Sequence, residues 1–392
     1  MIHLPKDVQY ILTSLASLGY AAYVVGGCVR DSLMHISPKD WDITTSAQPH
    51  QIKAVFPHTI DTGIEHGTVT VVINQCNYEV TTFRIDGIYL DGRRPEEVVF
   101  TIDIEADLSR RDFTMNAIAY NPTTGLVDPF GGLEDINKKN IRCVGQASSR
   151  FKEDALRMMR TIRFSAQLSF DIDPETYQAI APLSERLSLI SMERVREELT
   201  KILCASNPGA LTLLEEANLW PYVLRGIPFH RSLSQVILWL KQCPKEPAML
   251  YALLYADELF MKHLKFDNRT IKETVLYVHW IDQFIPNERY NIKKSLNVMG
   301  IKQFKNLLIL KKIVQPEKES HWEAVQATCE NVLRSGECFT LRDLDIDGQT
   351  LIEAGILPGK AMGQIMVQLL DSVMIDPSLN HKKVLLKAAL KH

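Results

Sequence analysis

The chain has 392 residues, with 44 Lys and Arg against 47 Asp and Glu, a formal net charge of −3. Apolar residues make up 46% and charged residues 23%, which excludes a disordered or fibrous chain and leaves room for about two to four domains. The mildly acidic balance excludes a surface coated in basic residues for nucleic acid, though not a local basic stripe. No apolar run is long enough to span a bilayer. Seven scattered cysteines without any C-x-x-C point to reduced thiols and a cytoplasmic location rather than disulfides or zinc.

The N-terminal MIHLPKDVQYILTSL lacks the basic region and cleavage site of a signal peptide and reads as an amphipathic helix over 5–19. Short β-branched runs follow as far as about residue 140: AYVVGG, WDITT, HGTVTVVIN, YEVTTF and EVVFTI, broken by turns such as GIEHG and DGRRP, with a second helix at 48–56. From about 150 the apolar spacing becomes i, i+3, i+4, in RFKEDALRMMRTIRFSAQL, SMERVREELTKILCA and PGALTLLEEANLW, and helices continue to the end. The expected fold class is α+β: a head with a small mixed sheet, then an all-α arm.

Within the head, Asp40 and Asp42 flank Trp41 in KDWDITT. On an extended strand, residues two apart face the same way, so both carboxylates would point to one side and Trp41 to the other. Mg2+ takes hard oxygen ligands, one or two of them carboxylates, and a pair of such ions can clamp both oxygens of a phosphoryl transfer. Glu79 in NYEVTTF, on another strand, is a candidate third carboxylate. An isolated D-x-D is more often a turn or a solvated strand face. Upstream, Gly26 and Gly27 join the strand YVV to VRDSLM. Such a turn lets backbone N–H groups approach a triphosphate, and Arg30 is spaced to reach phosphate.

G-G-x-V-R-D followed by D-x-D resembles the signature of the DNA polymerase β nucleotidyltransferase superfamily, and within it the class II tRNA nucleotidyltransferase and bacterial poly(A) polymerase family. The resemblance continues through GIEHGTVTVV, YEVTTFR, the loop RIDGIYLDGRRPEEVVF, SRRDFTMNAIAY, EDALRMMRTIRF and SMERVREEL, and is strong over about 20–200. It implies a nucleotidyltransferase head at 1–140, a nucleotide-recognition neck at 141–205, a helical body at 206–330 and a tail at 331–392. It also implies a CCA-adding activity that uses CTP, ATP and two Mg2+ ions on the acceptor and T arms of tRNA.

In the neck, Asp154, Arg157, Arg160 and Arg163 are expected on one continuous helix, within a basic local field. Cytosine and adenine both present an amino donor beside an unprotonated ring nitrogen. Asp154 can only accept and Arg157 can only donate, so side by side they match C and A and mismatch U and G. The family's E-D-x-x-R motif carries the same implied role onto these residues. The resemblance places Arg111 at the triphosphate or primer, with Arg110, and Asp112 at the ribose; Asp112 is also a good helix cap. Arg194, Glu197 and Glu198 match the last motif and are expected to buttress Arg157, though a solvated charged face is an alternative. The loop at 86–95, with Asp91, Arg93 and Arg94, argues against a CC-only enzyme but leaves an A-adding one open. The alternatives are that A-adding enzyme, a poly(A) polymerase or an inactive tRNA-binding protein. Lys293, Lys294, Lys302, Lys305, Lys311 and Lys312 form a candidate phosphate stripe, as readily a solvated face. Near the end, Gly348-Gln349-Thr350-Leu351 departs from the family's tail motif G-x-D-L. No H-x-x-H-D motif occurs, and a homodimer is left open.

Overall fold

The computed structural model describes residues 2–87, 98–227 and 231–391. The chain forms two compact units, Met1–Pro228 and Phe229–His392.

The first unit begins with helix α1 (Lys6–Ser17) and is built on a seven-stranded sheet. Its strands are β1 (Ala22–Val25), β2 (Ile43–Thr45), β3 (Thr59–Gly63), β4 (Thr68–Ile73), β5 (Cys76–Thr82), β8 (Ala119–Asn121) and β9 (Gly125–Val127), in the order β3-β4-β5-β2-β1-β8-β9. All neighbours are antiparallel except β2 and β5, so the sheet is mixed as expected. The alternation of branched residues sets the buried face. Val24, Ile43, Val69, Val71 and Val80 are each exposed by 1% or less. Burying each such side chain contributes about 1.5–3 kcal/mol.

Helix α2 (Gly27–Leu33) leaves β1 through Gly26, whose φ of +81° suits a residue without Cβ. Helix α3 (Pro49–Val55) follows β2. A small hairpin, β6 (Arg84–Asp86) with β7 (Val98–Phe100), stands apart from the main sheet. Asp91, Arg93 and Arg94 of the expected loop lie outside the described residues. Helix α4 (Ile104–Ser109) comes next, and after it a single 3-10 turn at Thr114–Asn116. Helix α5 (Gly132–Lys138) packs on that turn so closely that a Cβ at Gly132 would overlap the Thr114 carbonyl.

The neck does not form the single helix that the spacing predicts. It breaks into α6 (Ala147–Glu153) and α7 (Leu156–Leu168). Asp154 takes an extended conformation, φ −140° and ψ 103°, and its carboxylate accepts the Leu156 N–H at 3.0 Å. A short acidic side chain that can bind the backbone starts a helix better than it continues one. After α8 (Pro174–Gln178), α9 (Met192–Leu203) packs along α7, burying Val195, Leu199 and Ile202.

The second unit is all-helical where described. It corrects the lysine stripe. Lys311 is fully buried, and its ammonium donates to the carbonyls of Trp280 (2.7 Å), Ile281 (3.1 Å) and Gln283 (2.5 Å) at the end of the helix Asn268–Ile281. Lys293 is 1% exposed and paired with Glu337 at 2.8 Å. Lys302 faces Glu246 at 3.3 Å, and Lys312 donates to Gln326 at 2.8 Å. Two of the six lysines are structural, so no continuous stripe exists. Among the described residues no helix is long and apolar enough to cross a membrane.

Candidate active site

The strand proper begins at Ile43, just past the two aspartates. Sheet hydrogen bonding nevertheless reaches one residue further, since the Val25 N–H donates to the Asp42 carbonyl at 3.0 Å. In the parallel pair, Ile43 lies opposite Val80. One residue earlier on each chain stand Asp42 and Glu79, both exposed on the face opposite the buried Ile43 and Val80. Trp41 turns away from them into a separate cavity beside Leu33, His35 and Pro38, behind α2.

Asp42 and Glu79 both respond to their acidic neighbours. Crowding by protein atoms raises the Asp42 pKa first; Arg111 opposes that shift and Asp40 adds to it. Glu79 is raised by lost solvation, then by Asp42 and Asp40. Among the described residues no cluster of three His, Cys, Asp or Glu side chains forms a complete metal cage. Mg2+ does not need one: it usually keeps several waters and takes one or two carboxylates plus substrate phosphate. The hard oxygen donors of Asp40 and Asp42 fit that ion.

Beside the carboxylates lies the Gly26-Gly27 turn. The Arg111 guanidinium rests against it, 3.2 Å from where a Gly26 Cβ would stand, so a side chain there would push Arg111 aside. Arg30 is turned inward. It pairs with Asp31 at 2.6 Å and donates to the Asn116 side chain at 2.7 Å. Asn116 in turn donates to Asp112 at 3.1 Å, and Asp112 receives Arg160 at 2.8 and 2.6 Å. Asp112 does not cap a helix; its carboxylate accepts the Phe113 N–H at 2.9 Å. Burial alone would raise the Asp112 pKa, but Arg160 and Arg157 hold it well below the usual carboxylate range.

In the neck, Asp154 and Arg157 are oriented by different partners. Arg194 grips Asp154 at 2.7 and 3.2 Å. Arg157 donates to Glu153 at 2.7 Å and to the Arg110 carbonyl at 3.0 Å. The expectation that Arg194 and Glu198 buttress Arg157 is thus corrected: Arg194 serves Asp154, and Glu198 binds Arg163. One ring joins this side of the site together. Arg30, Arg160 and Arg163 stand over Phe164 at 5.0, 5.6 and 3.8 Å, which eases the approach of three like charges.

Sequence reasoning missed Asp107 and Phe164. Asp107 is fully buried and binds Arg110 at 2.7 Å and Arg111 at 3.4 Å. Its i, i+3 and i, i+4 spacing to those arginines was the available signal. Arg110 is correspondingly held inside the head, its side chain also 3.8 Å from Asp86, rather than reaching for substrate.

A mixed sheet presenting neighbouring carboxylates beside a double-glycine turn, with arginines supplied from a helical neck, defines a nucleotidyltransferase. Three family models match the chain: the poly A polymerase head domain over 22–142, a probable RNA and SrmB-binding site of polymerase A over 169–230, and a putative tRNA nucleotidyltransferase domain 2 over 248–389. Curated relatives include a CCA-adding enzyme of Limosilactobacillus reuteri, 37% identical over 97% of this chain and 95% of its own. Another, from Leuconostoc mesenteroides, is 36% identical over 98% and 96%. Among solved structures, the Bacillus stearothermophilus CCA-adding enzyme in complex with CTP superposes with a TM-score of 0.84 at 32% identity, covering 98% of this chain and 96% of that one. The Thermotoga maritima CCA-adding enzyme complexed with tRNA shares the fold, with a TM-score of 0.67 at 19% identity over 99% and 96%. The chain belongs to the tRNA nucleotidyltransferase and poly(A) polymerase family, among its CCA-adding members.

Proposed function

We propose that this protein adds C, C and A to the 3′ end of tRNA from CTP and ATP, releasing pyrophosphate at each step. The observation that carries the reading is the placing of Asp42 and Glu79 one residue before the paired Ile43 and Val80, with Asp40 two residues from Asp42 and Arg111 resting on the Gly26-Gly27 turn. Asp40 and Asp42 would hold Mg2+, which when bound supplies Lewis-acid activation of the tRNA hydroxyl and neutralises phosphate charge. Glu79 adds negative potential at that seat. The glycine turn, with Gly27 and Arg111, receives the triphosphate, and Arg30 holds the Asn116–Asp112 pair in place for the ribose. Arg160 and Arg163 supply positive potential from the neck. Positioning and charge stabilisation then carry the rate.

Base choice falls to Asp154 and Arg157. Arg194 holds the acceptor; Glu153 and the Arg110 carbonyl hold the donor. Preoriented in this way, the pair suits the amino and ring-nitrogen edge shared by cytosine and adenine and leaves unpaired groups against uracil or guanine. The division into head (1–140), neck (141–205), body (206–330) and tail (331–392) belongs to the same reading. So do a cytoplasmic location and acceptor- and T-arm binding by the body and tail.

The test uses tRNA transcripts ending at the discriminator base, at C and at C-C, each with CTP, ATP or both. With both nucleotides present, addition of three, two and one nucleotides respectively, the last always A, is expected. Extension of the C-C transcript alone, by one A, would replace this reading with A addition beside a CC-adding partner.

A further inference from the structure

A carboxylate with no exposure is costly unless every lone pair is engaged. Asp107 meets that condition through four partners. It accepts from the Thr44 hydroxyl and the Arg84 N–H, each at 3.3 Å, and it binds Arg110 and Arg111. These partners lead to separate parts of the site. Thr44 is two residues beyond Asp42 on β2. Arg111 rests against the glycine turn. Arg110 leads to the neck: its side chain is fixed by Asp107 on α4, while its own carbonyl receives the Arg157 guanidinium at 3.0 Å.

We infer that Asp107 and Arg110 are a positioning pair, which sets Arg157 against the edge of the incoming base and keeps it in register with the strand bearing Asp42. This rests on the base-reading role proposed for Arg157. The other anchors of Arg157 both lie on α6: the Arg150 carbonyl at 3.5 Å, and Glu153, which is shared with the Arg150 side chain at 2.5 Å. Among the hydrogen bonds described above, the Arg110 carbonyl is the one that ties Arg157 to the catalytic head, where Asp112 adds a longer-range attraction. Once the fork between Arg110 and Asp107 is lost, that carbonyl shifts and one Arg157 N–H loses its partner. A guanidinium free to turn accommodates the wrong edge of a base. The predicted effect is therefore on discrimination, more than on turnover at saturating CTP.

Arg110→Lys keeps the charge and removes the fork, and Asp107→Glu keeps the anion and displaces it. Full-length variants are assayed for kcat/KM with CTP and UTP on transcripts ending at the discriminator base, and with ATP and GTP on transcripts ending in C-C. Both preference ratios are expected to fall about tenfold or more. Arg157→Ala is the reference, and only variants that keep the wild-type circular dichroism spectrum are compared. An unchanged ratio in Arg157→Ala overturns the base-reading role itself. A lowered ratio there with unchanged ratios in folded Arg110→Lys refutes the positioning pair, as does an equal loss of kcat for all four nucleotides. Should Asp107→Glu not fold, Arg110→Lys decides alone.

Discussion

Two kinds of carboxylate occupy the head, and their pKa shifts have opposite signs. Asp42 is raised by burial and by Asp40, and Glu79 by lost solvation and by Asp42 and Asp40, so each binds its proton more tightly folded than unfolded. Their ionisation costs stability as pH rises through that range. Asp107 and Asp112 are lowered by their arginines, so the stability they contribute is present above about pH 4 and is lost as pH falls through their folded values. Because metal competes with protons for Asp42, the acid limb of incorporation is expected to move to lower pH as Mg2+ is increased. A limb that ignores Mg2+ would exclude Asp42 as the titrating ligand. Asp42→Asn should cut incorporation about a hundredfold or more, yet melt no lower than wild type in EDTA, since it relieves repulsion. A lower melting point would show that the aspartate is structural. The D-x-D was legible in the sequence because the period of a strand is local. Asp107 was legible only in its local spacing to Arg110 and Arg111; its other partners, Thr44 and Arg84, are distant in sequence.

At the scale of elements, periodicity located the neck but not its break. Apolar spacing continues unbroken through Leu156, Met159 and Ile162, so it carries no mark of the turn at Asp154; only the capping preference of aspartate does. The lysines taught the converse lesson. Lysine reads as solvated wherever it falls, yet Lys311 closes the end of another helix from within the core. Burial lowers its pKa to about 8, while three carbonyls and the Trp322 ring, 4.7 Å away, receive the ammonium. Lys311→Met is expected to lose about 1–3 kcal/mol in urea unfolding and to bind tRNA with unchanged affinity in the folded state. Weaker tRNA binding with unaltered stability would restore Lys311 to the phosphate surface.

For the whole molecule, the sheet, neck and arginine cluster all lie within Met1–Pro228. CTP binding should accordingly protect amides of that unit from hydrogen exchange, by about 2.7 kcal/mol at a hundred times Kd for those that open globally, and leave Phe229–His392 at its free rates. Protection of equal size in the second unit would mean that the nucleotide site draws on it. The order of elements was readable from the change of hydrophobic period near residue 150. What each helical surface of the second unit meets was not, since solvated lysines and buried ones share one sequence spacing.

The contact between Gly132 and Thr114 bears on how variation in this protein is to be read. Position 132 holds no charge and no side chain, so a survey of important groups passes over it. An alanine scan, built to find what a side chain contributes, asks the wrong question of a residue that contributes only its emptiness. One added methyl group would displace the turn from which Asn116 holds Asp112. Tolerance to mutation here is bounded by vacancy as well as by chemistry.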